Sequence, residues 1–171
     1  MTMLARKICM IGDFAVGKTS LIARYAHNQF SEKYQASIGV KIDTKELRLA
    51  SGDAVKLVLW DIAGTDELNS VGQNYLKGAA GYILVVDGTR LATFGTAISL
   101  QKEVERRLGP TPFTLILNKL DLSNQWALNA DAVQALQARG WQLTHCSAKK
   151  GNGVEQAFQL LGERMVIGVR P

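Results

Sequence analysis

Gly12-Asp13-Phe14-Ala15-Val16-Gly17-Lys18-Thr19 is the stretch whose reading decides the fold. It matches the pattern G-x-x-x-x-G-K-[ST] and stands in the right surroundings. The short apolar run Ile8-Cys9-Met10-Ile11 before it has the character of a strand, and Lys18 to His27 after it has helical spacing at Leu21, Ile22 and Tyr25. In such a strand, loop and helix, glycines let the backbone wrap a polyphosphate with its N–H groups, a lysine reaches the outer phosphates, and a hydroxyl serves Mg²⁺. Gly17, Lys18 and Thr19 take those roles, with Ala15, Val16 and Ser20 completing the phosphate-binding set. The loop alone does not choose a reaction, since several classes of phosphate chemistry use it.

Working outward, Tyr82-Ile83-Leu84-Val85-Val86 and Phe113-Thr114-Leu115-Ile116-Leu117 are near-continuous apolar runs, the pattern of parallel strands covered on both faces. Between them Thr93 to Leu108 has helical spacing at Phe94, Ala97, Ile98, Val104 and Leu108 and closes with Gly109-Pro110, which makes a βαβ unit. Leu47-Arg48-Leu49, the turn Ser51-Gly52-Asp53 and the alternation of Val55, Leu57 and Leu59 predict one antiparallel pair. Val154, Ala157, Phe158, Leu161 and Met165 mark one face of a last amphipathic helix. The expectation is a three-layer α/β domain over residues 1–171.

The 171 residues suffice to bury about 70% of the surface exposed by the unfolded chain. With 47% hydrophobic and 20% charged residues, composition excludes a disordered chain. The net charge of +5 favours anionic partners, but the basic residues are scattered. The densest group, Lys102, Arg106 and Arg107, is broken by Glu103 and Glu105 and reads as a solvated helix face, so no nucleic-acid partner is expected. Cys9 and Cys146 lie in or beside apolar runs and read as small buried hydrophobes, which suits a reducing, cytoplasmic location. No apolar stretch reaches the ~18 residues of a membrane span.

Asn118-Lys119-Leu120-Asp121 follows the strand ending at Leu117, at the carboxyl end where open α/β sheets bind ligands. The Asp121 carboxylate can accept two parallel hydrogen bonds from guanine, whose N1–H and 2-amino group are neighbours. Adenine has a lone pair at N1, so it would leave that carboxylate repelled and unpaired. By itself the four-residue pattern is equally well explained as a polar turn; downstream of the phosphate loop it points to a guanine nucleotide.

At this point the chain resembles a Rab-type small GTPase of the Rab/Ras superfamily along essentially its whole length. Beyond the two motifs already quoted, Ser37-Ile38-Gly39-Val40 stands at switch I, Trp60-Asp61-Ile62-Ala63-Gly64 at switch II, and Ser147-Ala148-Lys149 after the sixth strand. The resemblance implies the P-loop NTPase fold, a mostly parallel six-stranded sheet with one antiparallel strand and helices on both faces. It implies GTP and GDP as ligands with Mg²⁺, and protein effectors and regulators at the two switches. Phe30 would lie against the guanine ring, Lys119 would cover the base and the Ala148 N–H would donate to its O6, with Asn118, Ser147 and Lys149 completing the guanine set. Tyr34 would lie near the phosphates, Ser37 would join Thr19 on Mg²⁺, Asp61 would hold the ion through water, and the Gly64 N–H would meet the γ-phosphate. Tyr75-Leu76-Lys77-Gly78-Ala79 is also similar to Rab sequences. Trp60 reads either as a strand residue packed inside or, with Ile42 and Tyr75, as an apolar effector surface.

Three departures stand out. Thr65 follows D-x-x-G where the family usually has the glutamine that orients the attacking water, so the catalytic set is Lys18, Gly64 and an impaired Thr65. Phe14 is larger than the small residue usual at its position, beside the entry of an arginine finger, and Ser37 replaces threonine while keeping the hydroxyl. The sequence ends at Val166-Ile167-Gly168-Val169-Arg170-Pro171 without a cysteine to prenylate, so no lipid anchor and only weak or indirect membrane contact are expected. A slow GTPase switch, a nucleotide-bound interaction module with little turnover, and a P-loop kinase or ATPase all remain. The last has no use for N-K-x-D or S-A-K.

Overall fold

A computed structural model describes residues 3–32, 40–62 and 73–167. The strands are β1 (Leu4–Gly12), β2 (Val40–Arg48), β3 (Ala54–Ile62), β4 (Gly81–Asp87), β5 (Phe113–Asn118) and β6 (Leu143–His145). The helices are α1 (Lys18–His27), the short α2 (Gln73–Leu76), α3 (Leu91–Leu108), α4 (Ala130–Ala138) and α5 (Val154–Ile167), with a 3-10 helix over Leu120–Gln125. The sheet order is β2-β3-β1-β4-β5-β6. Only the β2–β3 pair is antiparallel among the pairings described. The expected α/β architecture is therefore present, with the antiparallel pair where the alternation of Val55, Leu57 and Leu59 puts it.

The period of two along each strand divides the core into two layers. Ile8 and Met10 of β1, Ile83 and Val85 of β4 and Ile116 of β5 face α1 and α5. Cys9, Ile11, Tyr82, Leu84, Val86, Leu115 and Leu117 face α3 and α4. On the first face Tyr25 of α1 stacks on Phe158 of α5, with ring centroids 4.0 Å apart and planes inclined by 2°. Phe158 is wholly buried, and such a side chain contributes about 1.5–3 kcal/mol by leaving water. On the second face Phe94, Ala97, Leu100 and Val104 fix α3 against the sheet.

Both cysteines are buried and free, and burial raises each thiol to about 12, so they act as apolar packing groups. The basic group on α3 is only partly the solvated face expected from sequence. Arg106 and Arg107 both pair with Glu103, at 2.5 and 2.9 Å, but the Arg107 side chain is largely buried, one turn beyond Val104. Among the described residues no helix is long and apolar enough to cross a membrane.

β1 lies at the switch point of the sheet, with β3 on one side and β4 on the other. Its following loop therefore opens into the crevice at the carboxyl ends of the strands. The ends of β1, β3, β4 and β5 bring Gly12, Asp61, Asp87 and Asn118 to the same edge.

Candidate functional site

Side-chain donors hold the loop carbonyls from Gly12 to Val16. Lys18 Nζ donates to Gly12 O at 2.8 Å and to Asp13 O at 2.9 Å. Arg90 Nη2 donates to Phe14 O at 2.5 Å, Lys119 Nζ to Ala15 O at 3.2 Å, and Asn118 Nδ2 to Val16 O at 2.9 Å. With each carbonyl directed at a side-chain donor, the following N–H of each trans peptide points the other way. Ala15 and Gly17 both have positive φ, 57° and 106°, so the backbone alternates in hand and forms the concave N–H cradle that binds anions.

Two glycines are required by their neighbours. A Cβ on Gly12 would stand 2.7 Å from Val85 O, and one on Gly17 would stand 2.2 Å from Asn118 Nδ2. The second position also has the left-handed φ that favours glycine. The G…G spacing of the motif is thus read out by β4 on one side and by Asn118 on the other.

Electrostatics suit an anion. Lys18 is buried, and desolvation pushes its ammonium down to about 8; Asp61 and Asp13 oppose that shift, and Arg90 adds to it. A polyphosphate beside this ammonium would favour its charged form. The Thr19 hydroxyl donates to the carboxylate of Asp61, itself 1% exposed. This hydroxyl and carboxylate form an all-oxygen donor set suited to a hard cation. Among the described residues no group of three or more His, Cys, Asp or Glu side chains is placed to hold a metal. The Thr19 hydroxyl and Asp61 carboxylate fit Mg²⁺, an ion that keeps waters and takes further oxygens from phosphates.

The N-K-x-D segment continues the same edge. Asn118 is buried and bridges two loops, since its Oδ1 accepts from Ala148 N at 3.3 Å while its amide holds Val16 O. The Ser147 hydroxyl donates to Asp121 Oδ1 at 2.7 Å and accepts from Lys150 N at 2.9 Å, which orients the carboxylate. Arg24 of α1 holds Ala148 O at 2.8 Å and Lys149 O at 2.5 Å. Lys149 reaches Glu32 at 2.9 Å, and Phe30 packs partly against the α1 and α5 core.

Sequence reasoning missed one buried hub. Asp87, at the end of β4, accepts from Lys119 Nζ at 2.8 Å, Arg90 Nε at 3.0 Å, and the Thr89 N–H and hydroxyl at 2.9 and 2.7 Å. Burial alone would raise its carboxyl, but the bonds from Lys119, Thr89 and Arg90 outweigh that and hold it below the usual carboxylate range. The only signal in the sequence was an acid closing an apolar run, which reads equally well as a turn residue.

Ala15, Val16, Gly17, Lys18, Thr19 and Ser20 lie on the loop and first turn of α1, and Asn118, Lys119, Asp121, Ser147, Ala148 and Lys149 lie beside them. Ile42 stands opposite Trp60 in the β2–β3 register, and the Trp60 ring is 6.3 Å from that of Tyr75. Ile42 is 52% exposed, while Trp60 is half-buried with the Lys7 ammonium 3.6 Å from its ring centroid. Tyr34, Ser37, Gly64 and Thr65 fall outside the described residues.

A sequence model of the Ras family matches residues 7–167, nearly the whole chain. The chain belongs to the Ras family. It is 32% identical over 169 residues to the Ras-related protein Rab-7L1 of Homo sapiens, covering 94% of this chain and 82% of that one. It is 33% identical over 170 residues to human Rab-32, covering 94% and 75%, and 35% identical over 157 residues to RABA5e of Arabidopsis thaliana, covering 91% and 72%. As a Rab/Ras-like small GTPase it is a GTP-binding molecular switch, of a family whose members bind GTP and GDP with Mg²⁺ and interact with effectors and regulators. The kinase or ATPase alternative is set aside by that membership. So is a module without hydrolysis as the leading account.

Proposed function

We propose that this Ras-family chain is a slow switch, in which Asp121 reads guanine, Lys18 and the loop N–H groups hold the phosphates, and Thr65 limits hydrolysis. The observation that carries the reading is the Asn118 bridge from Val16 to Ala148, because it sets the phosphate cradle and the base-reading residues beside one another. Thr19 and Ser37, with Asp61 through water, would hold Mg²⁺, and the ion would neutralise phosphate charge when bound. Phe30, Lys119, Ser147, Ala148 and Lys149 surround the base, and Tyr34 covers the phosphates. Ile42, Trp60 and Tyr75 form the effector surface, a reading supported by the exposure of Ile42 directly across from Trp60.

Hydrolysis forms a bond from water to the γ-phosphorus and breaks the bond to the β–γ bridging oxygen, with charge spread over the phosphoryl oxygens. The Lys18 ammonium and the N–H groups of Ala15 and Gly64 stabilise that charge, and little covalent chemistry is asked of the protein. Positioning the water is then the remaining task. A threonine at position 65 has a hydroxyl but is too short to bridge water and γ-phosphate as a glutamine does. Phe14 adds a second loss: being large and half-exposed, it would crowd the approach of an arginine finger.

Thr65→Gln should raise the single-turnover rate about tenfold, equivalent to about 1.4 kcal/mol in the barrier. Phe14→Gly should leave the intrinsic rate nearly unchanged while restoring the response to an arginine-finger activating protein. A native rate equal to that of the glutamine variant would mean that another group, such as Asp66, positions the water, and the slow-switch reading would fail.

A further inference from the structure

Arg90, in the turn between β4 and α3, bridges two parts of the site. Its Nε donates to Asp87 Oδ2 at 3.0 Å and its Nη2 to Phe14 O at 2.5 Å. Among the five loop carbonyls from Gly12 to Val16, that of Phe14 is the one assigned to this arginine; Lys18, Lys119 and Asn118 hold the other four. The Phe14 N–H is already bonded to Asp13 Oδ1 at 2.7 Å, so it faces its own neighbour rather than the cradle. The next N–H, that of Ala15, is opposed to the Phe14 carbonyl across a trans peptide.

We propose that Arg90 is a positioning residue for phosphate binding: by holding the Phe14 carbonyl outside the loop, it turns the Ala15 N–H toward the nucleotide's phosphates. Ala15 has φ 57°, a left-handed conformation that a non-glycine residue keeps only when its surroundings enforce it. Arg90 enforces it from one side of the peptide and Lys119, on Ala15 O, from the other. Asp87 receives both cations, so the loop and the guanine-reading strand are set by one buried carboxylate.

A plain structural role explains less. The Arg90 side chain is 43% exposed, so its loss opens no core cavity, and Asp87 would keep Lys119 and Thr89 as partners. The fold should therefore tolerate the change that the phosphate cradle does not.

The inference rests on the nucleotide reading above, and its test separates the two. Native protein, Arg90→Ala and Arg90→Lys are each loaded with GDP and Mg²⁺. Three readouts are followed: release of a fluorescent GDP analogue, the ³¹P resonance of the bound β-phosphate, and the ratio of GDP to IDP affinity. Arg90→Ala should release GDP about tenfold faster, the loss of one charged hydrogen bond's orientation. It should also shift the β-phosphate resonance and leave the GDP to IDP ratio unchanged. Arg90→Lys should fall between, since an ammonium can reach one acceptor but lacks the fork that joins two. Unchanged release and resonance in both variants would overturn the role of Arg90. Faster release with an unmoved resonance and an equally altered base ratio would also overturn it, as general loosening. A native chain that retains no guanine nucleotide would instead overturn the reading on which the inference stands.

Discussion

Asp121→Asn should bind GTP about 10²–10⁴-fold more weakly than the native chain and should prefer xanthosine triphosphate. The range follows from two hydrogen bonds to a charged acceptor, each contributing about 1.5–3 kcal/mol. Asparagine keeps one acceptor for the N1–H but turns a donor toward the 2-amino group, so guanine faces a clash of donors. Xanthine has a carbonyl there and accepts from the new amide. The Ser147 hydroxyl, 2.7 Å from Asp121 Oδ1, can bond to either side chain, so the variant should keep the local geometry. Competition against a fluorescent GDP analogue reads both affinities. A variant that still prefers GTP over XTP would remove Asp121 from base recognition.

Gly17→Ala should lose nucleotide affinity by about 100-fold or more, and the chain should unfold at lower temperature. Two costs add at this position. A non-glycine residue is strained at φ 106°, by roughly 1–3 kcal/mol. The new methyl would also stand 2.2 Å from Asn118 Nδ2, and that amide is fixed by its bond to Val16 O. If Asn118 withdraws, it releases Val16 O and the Ala148 N–H together, and both the phosphate and the base sides of the site loosen. Paired calorimetry and thermal unfolding of the GDP-loaded variant check this, and native affinity in the alanine variant would show that the loop is not held as described.

Much of this architecture was legible because its signals are local. The hairpin could be read from Val55, Leu57 and Leu59, which alternate because they face the α1 and α5 layer while Lys56 between them is exposed and Val58 only half-buried. The runs at Tyr82 and Phe113 were legible for the opposite reason, since β4 and β5 are buried on both faces. α4 was not read: it is nine residues of mostly small side chains with only Leu136 buried, although Asn129, whose side chain accepts from Asp131 N, was an available start signal. The site divides in the same way. Lys18, Asn118 and Asp121 are legible because phosphate and guanine chemistry dictate their spacing. The Asp87 hub was not, because its link to Lys119 depends on the β4–β5 register that sets Asp87 beside Asn118, and Arg90 on the path of the turn that follows. Trp60 was open to two readings, and it is half-buried against the second core layer while standing next to exposed Ile42.

Whether one crevice both reads guanine and holds its phosphates is tested by competition between GTP and ATP for the native chain with Mg²⁺. A site built to hydrogen-bond the guanine donors rejects a base lacking them by about 10⁴–10⁵-fold. GTP should therefore displace a bound fluorescent GDP analogue at concentrations at which ATP has no effect. Equal displacement by ATP and GTP would contradict the account.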